Sequence, residues 1–295
     1  MAPGSNDFRP SMKLLRYGPP GREKPAILDD SGRLRDLWLV PDIARATLLP
    51  DCLEYIGFTD LQKLPLIEGT PRIGPCVGNV GKIIGVGLNY ADHAAESNMP
   101  IPTEPPLFLK ATSAIIGPND DVEIPTGSEK TDWEVELGVV IGEPARHVTR
   151  KHAMRHVAGY CIVNDISERA YQLERGGQWD KGKCHDTFAP LGPWLVTPNE
   201  IPDPQNLQLW LEVDGHRFQN GNTRTMIFGV AHLISYISQF MTLQSGDVIS
   251  TGTPPGVGLG QKPPRYLHAG QTMRLGITGL GVQQQRTVPA TRARS

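Results

Sequence analysis

The chain has 295 residues, enough for one large domain or two of ordinary size, and its 29 Lys and Arg against 31 Asp and Glu leave a formal net charge of -2. That balance favours neither nucleic acid nor an anionic membrane surface, and no apolar run approaches the roughly 20 residues of a membrane span. Cys52, Cys76, Cys161 and Cys184 are scattered without a CxxC pair, which argues against a disulfide scaffold or thiolate zinc site and fits a reducing, cytoplasmic location.

Residues 1–11 are polar, with Pro and Gly and no hydrophobic stretch. They read as a disordered or vector-derived extension rather than a secretory signal. From Met12 the pattern is short strands: Lys13–Tyr17, then Ala26–Leu28, then a turn at Asp29-Asp30-Ser31-Gly32 into Arg33–Leu37, which together read as a hairpin. Residues 41–70 are weakly helical, and Pro71, Gly74 and Pro75 close a small N-terminal domain at 12–75. The remainder, 76–290, reads as one larger domain. Strands are expected at Lys82–Leu88, Pro106–Lys110, Asp132–Ile141, Ala158–Asn164, Leu207–Val213 and Asp247–Thr251. Val213-Asp214-Gly215-His216 is a hairpin turn signal. An amphipathic helix is expected over Ile227–Met241, where Val230, Leu233, Ile234, Ile237 and Met241 recur at helical spacing. A shorter helix is expected over Arg150–Val157, capped by Thr149. The pattern is too strand-heavy for a TIM barrel.

The run Trp133-Glu134-Val135-Glu136-Leu137-Gly138-Val139-Val140-Ile141 places two carboxylates inside an apparently buried strand. Residues i and i+2 of a strand share a face, so Glu134 and Glu136 should project together. Like charges held that close and buried are costly unless neutralised. A third carboxylate, Asp165, follows the apolar strand ending at Asn164. Three carboxylates on two strands suit a hard cation, Mg²⁺ first, with Mn²⁺ or Ca²⁺ as alternatives, rather than zinc.

Three further stretches carry chemistry. In Asn89-Tyr90-Ala91-Asp92-His93-Ala94-Ala95-Glu96, a short helix would put His93 and Glu96 on one face, where the carboxylate fixes the imidazole tautomer and makes it a better base. The polar segment 178–190, with Lys183, is denser than a simple connector needs. Ser250-Thr251-Gly252-Thr253-Pro254-Pro255-Gly256-Val257-Gly258 opens a strand into hydroxyls and free amides suited to a carboxylate. Three matches are refused. Gly85-Val86-Gly87 begins a dinucleotide fingerprint, but Tyr90 takes the third glycine position. The run from Gly177 to Cys184 nearly spells a Walker A loop, but Cys184 replaces the Ser or Thr. His152 and His156 lack a third zinc ligand.

In order along the chain, Asn89-Tyr90…His93…Glu96, Phe108-Leu109-Lys110, Glu134-x-Glu136, Asn164-Asp165, Lys183…Asp186 and Gly252-Thr253-Pro254 resemble the fumarylacetoacetate hydrolase family over about residues 71–288. The resemblance implies a β-rich α+β fold, a mixed β-sandwich roll, behind the small N-terminal β-containing domain. It implies a homodimer or higher homo-oligomer, and metal ligation by Glu134, Glu136 and Asp165. Members of the longer branch carry a fourth acidic ligand where this chain has Val86, so the resemblance is to the shorter, bacterial-type branch. There, residues 165–172 are similar to chains labelled ureidoglycolate lyase and to 2,4-diketo-3-deoxy-L-rhamnonate hydrolase.

The expected activity is a metal-dependent hydrolase that cleaves a carbon–carbon bond of a 2,4-diketo acid in sugar-acid breakdown, the rhamnonate-derived acid giving pyruvate and L-lactate. Three carboxylates and one divalent cation sum to about minus one, and Lys110, Lys183 and Arg169 are the cations that let an anionic keto acid approach. In that scheme His93, oriented by Glu96, activates water. Lys183 stabilises the oxyanion, and pyruvate leaves as an enolate stabilised by the metal. Lys110, Arg169, Gln172 and Thr253 are assigned to the substrate, with Lys110 supporting its loop or a ligand carboxylate. The alternatives are a ureidoglycolate lyase, and an oxaloacetate decarboxylase or enol-acid isomerase, on the same metal site.

Overall fold

The computed structural model describes residues 11–92 and 100–290. Among these residues, seventeen strands and few helices build a mixed α+β fold from two large sheets. β1 (Lys13–Tyr17), β2 (Lys24–Leu28) and β3 (Leu34–Asp36) form one edge of the first sheet. β4 (Ile83–Val86) and β5 (Leu107–Lys110) form the other. Short strands β6 (Ile115–Ile116), β7 (Val122–Ile124) and β8 (Thr131–Asp132) lead to the central pair, β9 (Val135–Ile141) and β10 (Val157–Asn164). After β11 (Ser167–Glu168) come β12 (Ala189–Val196), β13 (Gln208–Val213), β14 (His216–Asn222), β15 (Val248–Ser250), β16 (Thr272–Ile277) and β17 (Gly281–Pro289).

The first sheet runs β3-β2-β1-β12-β10-β9-β15-β4-β5, with β6 joined to β12. The second runs β14-β13-β16-β17-β7. Every residue of β9 and β10 is buried, which is why both read as unbroken apolar runs rather than alternating ones. The segment expected as a small N-terminal domain extends this same sheet, because β1 pairs antiparallel with β12. The hairpin signal at Val213–His216 is realised between β13 and β14. Asp214 and Gly215 both have positive φ, 50° and 80°, as a tight two-residue hairpin turn requires.

Three expectations need correction, and one central strand was missed. The strand predicted over Asp132–Ile141 is interrupted at Trp133 and Glu134, between β8 and β9. Arg150–His156 is a 3₁₀ helix, and Thr149 makes no side-chain cap. The long helix is confined to Val230–Ile237. Its start is set by Asn89, whose Oδ1 accepts from Phe228 N at 2.8 Å and so holds the preceding chain out of helix. β12 was not expected at all. Pro190 and Pro193 cannot donate to a ladder, but β12 turns through Gly192, at φ 133°, and shifts register against β10 between Gly192 and Val196.

The two sheets enclose polar side chains as well as apolar ones. β17 points Gln283, Gln285 and Thr287 inward. Gln283 Nε2 donates to the carbonyls of Ile162 and Gly192, each at 2.9 Å, tying the second sheet to β10 and β12. Gln285 Nε2 donates to Gln283 Oε1 at 3.0 Å, and Asn164 Nδ2 donates to Gln285 Oε1 at 3.0 Å. Removing Gln283's amide strands those buried carbonyls. Gln283→Leu is therefore expected to cost ~2–3 kcal/mol of stability, read as a lower denaturation midpoint in urea. An unchanged midpoint contradicts the role given to this amide.

Candidate metal centre

β9 begins where β10 ends, in the middle of the first sheet, with Val135 opposite Asn164 and Glu136 opposite Val163. The chain beyond each strand converges there. Glu134, Glu136 and Asp165 are all buried, and one carboxylate oxygen from each lies within 4.8 Å of the other two. The break before β9 is what aims Glu134. Its amide donates to Asn164 Oδ1 at 3.3 Å, and the Val135 amide donates to Gln219 Oε1 at 2.9 Å. Side chains thus accept the two N–H groups that no neighbouring strand takes. Thr253 Oγ1 donates to the Val135 carbonyl at 2.9 Å and accepts from Gln219 Nε2 at 2.7 Å. Thr253, expected at the substrate, therefore has its hydroxyl proton committed to the backbone of β9, although the residue does line the cavity described below.

Three cations surround the cluster. Lys183 Nζ donates to Glu134 Oε2 and to Asp165 Oδ2, both at 2.7 Å. Lys110 Nζ donates to Asp165 Oδ1 at 2.6 Å and to the Ile166 carbonyl at 3.1 Å. Arg169 bridges Glu134 Oε1 at 2.6 Å and Asp132 Oδ2 at 2.8 Å, and gives a further N–H to Gln172 Oε1 at 3.0 Å. Burial opposes the charged form of Lys183, but Asp165 and Glu134 outweigh it and hold the ammonium above its ordinary range. Burial likewise opposes ionised Glu134, and Lys183 and Arg169 overcome it, so this carboxyl stays well below the usual carboxylate range.

Glu136 is different. Its Oε2 accepts from Ser250 Oγ at 2.6 Å and from the Gly252 amide at 2.9 Å, both neutral donors. Burial, then Asp165, then Glu134 push this carboxyl well above the usual range. Among the described residues, and with Asp132 included, four buried carboxylates meet three buried cations, leaving one negative charge in excess where a divalent cation would sit. The donor set is all oxygen, which fits a hard cation.

Above the cluster lies a cavity of about 390 Å³. Glu134, Glu136, Arg169, Gln172, Lys183 and Thr253 line its charged end, and Val86, Leu88, Phe108, Leu173, Trp179, Val257 and Leu259 supply apolar wall. Lys110, expected at the substrate, is buried behind Asp165 and is not among the described lining residues. His93 and Glu96 lie outside the described residues. Two contributors escaped the sequence reading. Asp132 accepts from Arg169 and from the amides of Gly258 at 2.6 Å and Leu259 at 2.9 Å, fixing the loop after β15 to the cluster. Tyr90 is buried, with a hydroxyl that finds no partner among the described residues. Burial, Glu136 and Asp92, in that order, raise its pKa. Among the described residues no helix is long and apolar enough to cross a membrane.

A family model described as fumarylacetoacetate (FAA) hydrolase C-terminal matches residues 82–288. A Burkholderia multivorans relative, provisionally named a hydrolase, is 66% identical over 278 residues, covering 94% of this chain and 99% of its own length. A fumarylacetoacetate hydrolase from Exiguobacterium antarcticum superposes with a TM-score of 0.85 at 33% identity, over 95% of this chain and 100% of that one. A 2-hydroxyhepta-2,4-diene-1,7-dioate isomerase from Mycobacterium marinum gives 0.74 at 32%, over 96% and 100%. A maleylpyruvate hydrolase from a Sphingobium species, solved with manganese(II) and pyruvate, gives 0.79 at 27%, over 95% and 100%.

The raised Glu136 carboxyl carries a sign. A group whose folded pKa lies above its unfolded value stabilises the fold below the ordinary carboxylate range and loses that contribution as pH rises. Near neutral pH, in excess chelator, Glu136→Gln is therefore expected to stabilise the protein by ~1–3 kcal/mol, or roughly 2–4 °C in Tm per kcal/mol. Added Mn²⁺ should raise the Tm of the wild type and not that of the variant. A variant that melts lower than wild type in chelator contradicts the excess charge.

Proposed function

The chain belongs to the fumarylacetoacetate hydrolase family, and from that premise we propose that it is a metal-dependent hydrolase cleaving the C3–C4 bond of a 2,4-diketo acid. The observation that carries this reading is the set of three buried carboxylates, one of them without a cation among the described residues, two of which, Glu134 and Glu136, line the charged end of a cavity with Arg169 and Lys183. A divalent cation held by Glu134, Glu136 and Asp165, Mg²⁺ or Mn²⁺, would supply Lewis-acid polarisation to a chelating 2-oxo acid. The Sphingobium neighbour, solved with manganese(II) and pyruvate, supports that head group.

In this reading His93 takes a proton from water, and Glu96 fixes its tautomer. The water oxygen adds at C4, the C3–C4 bond breaks, and C3 is protonated. One water is consumed, and pyruvate and a carboxylic acid leave. Lys183 has three N–H donors and gives two of them to Glu134 and Asp165, so the third serves the developing oxyanion. Arg169 balances Glu134 and positions Gln172, whose amide N–H reaches the substrate. Thr253 acts through Val135. Lys110 holds Asp165 rather than substrate. We expect the working unit to be a homodimer in the cytoplasm. The sequence likeness of residues 165–172 keeps 2,4-diketo-3-deoxy-L-rhamnonate, cleaved to pyruvate and L-lactate, in the first assay panel. Isomerisation or decarboxylation of an enol or keto acid uses the same charged end without water, and the isomerase among the structural neighbours favours it as the second reading.

His93→Ala is expected to lower pyruvate release from a 2,4-diketo acid by about 10²–10⁴-fold with Mn²⁺ affinity unchanged. Undiminished release in that variant removes His93 from the proposal. Consumption of substrate by the wild type without stoichiometric pyruvate selects the second reading.

A further inference from the structure

Gly85 and Gly87, the pair that begins like a dinucleotide fingerprint, make room for two aromatic rings. A Cβ on Gly85 would stand 2.1 Å from Phe108 Cζ, and one on Gly87 would stand 2.4 Å from Trp179 Cζ3. Neither approach is sterically allowed, so β4 and the residue after it stay bare where the rings lie against them. The ring centroids of Phe108 and Trp179 are 5.8 Å apart and tilted by 56°. Asp180 Oδ1 accepts from the Leu109 amide at 3.1 Å, which ties the Trp179 segment to β5. Phe108 also marks the limit of the charged end, since Lys183 Nζ stands 4.8 Å from its ring centroid.

Both rings line the cavity, together with Leu173 and Leu259. Leu173 is 46% exposed and Leu259 39% exposed, which is surface that a bound chain would cover. Arg169 and Lys183, the cations of the charged end, are already paired with carboxylates. Gln261 and Lys262 also line the cavity, but a hydroxyl laid against the ring faces themselves loses its water without gaining a partner there, whereas each methylene buried there tightens binding by roughly fourfold.

We propose that Trp179, backed by Phe108, Leu173 and Leu259, is a specificity-determining residue that selects a hydrocarbon tail next to the 2-oxo acid head over a hydroxylated one. This rests on the proposed binding of that head at Glu134, Glu136 and Asp165, and it names the substrate class more narrowly. Polyhydroxylated sugar acids are disfavoured, and acyl tails of several methylenes or conjugated carbons are favoured.

The test is calorimetric binding to the Mn²⁺-loaded protein of three probes that lack the 4-oxo group: pyruvate, 2-oxoheptanoate and 2-oxo-4,5,6-trihydroxyhexanoate. The wild type is expected to bind 2-oxoheptanoate at least tenfold more tightly than either other probe. Trp179→Ala is expected to lose most of that gain while its pyruvate Kd stays within twofold, and Trp179→Phe is expected to keep most of it. Pyruvate binding without a gain for 2-oxoheptanoate overturns this inference alone. So does a gain that survives in Trp179→Ala, or tighter binding of the hydroxylated probe. Equal weakening of all probes in both variants makes Trp179 merely structural and overturns it too. Failure of every probe to bind overturns the 2-oxo acid head and the tail selection with it.

Discussion

Glu136 sits in the interior with two neutral donors on one oxygen and two other carboxylates beside it. Nearly everything else around it reads as a response to that charge. Lys183 and Lys110 hold Asp165, while Lys183 and Arg169 hold Glu134. Arg169 is in turn satisfied by Asp132. Taking charges out of water is costly, and pairs this close recover the cost only when every lone pair and proton is used. Among the described residues the pairing is complete except at one carboxylate, and a single divalent cation would complete it. Such a cation would turn the excess from one negative to one positive charge, which suits an anionic keto acid.

The cluster is built from a defect in regular structure. Had β8 and β9 run on as one strand, Glu134 would have been fixed by the ladder. Instead the ladder opens at Trp133 and Glu134, and Asn164 and Gln219 accept the amides of Glu134 and of Val135, the first residue of β9. Gln219 comes from the second sheet, and Asn164 is bonded to Gln285 of the same sheet. The geometry of the carboxylates therefore depends on a polar seam between the sheets as much as on their own strands. A seam of amides with paired donors and acceptors is more directional than apolar packing, which suits a site whose ligand oxygens must hold their places.

Much of this was legible in the sequence, and the rest was hidden for identifiable reasons. β9 and β10 announced themselves as apolar runs, and the Asp214-Gly215 turn announced its hairpin. Glu134, Glu136 and Asp165 stood out because carboxylates inside or just after such runs are costly. Period-two reasoning brought Glu134 and Glu136 together, although Glu134 reaches the cluster from outside the strand. β17 was silent because it turns glutamines and threonine inward, inverting the pattern that marks a buried face. β12 was silent because its prolines read as loop. Asp132 looked like an ordinary strand-end carboxylate, since its partners Arg169, Gly258 and Leu259 are distant in sequence. The two glycines of β4 and its exit were read against a nucleotide motif, when their meaning lay in rings contributed by β5 and by the segment before Asp180.

The fold thus places a charged end and an apolar wall in one cavity, with the carboxylates supplied where two fully buried strands begin and end. The most direct test of this account is anomalous diffraction from crystals of the protein soaked in Mn²⁺. One strong anomalous peak per chain is expected, ligated by oxygens of Glu134, Glu136 and Asp165, with Lys183 displaced from at least one of its two carboxylate contacts. Density for manganese elsewhere, or an ordered carboxylate cluster that stays metal-free in excess Mn²⁺, would contradict it.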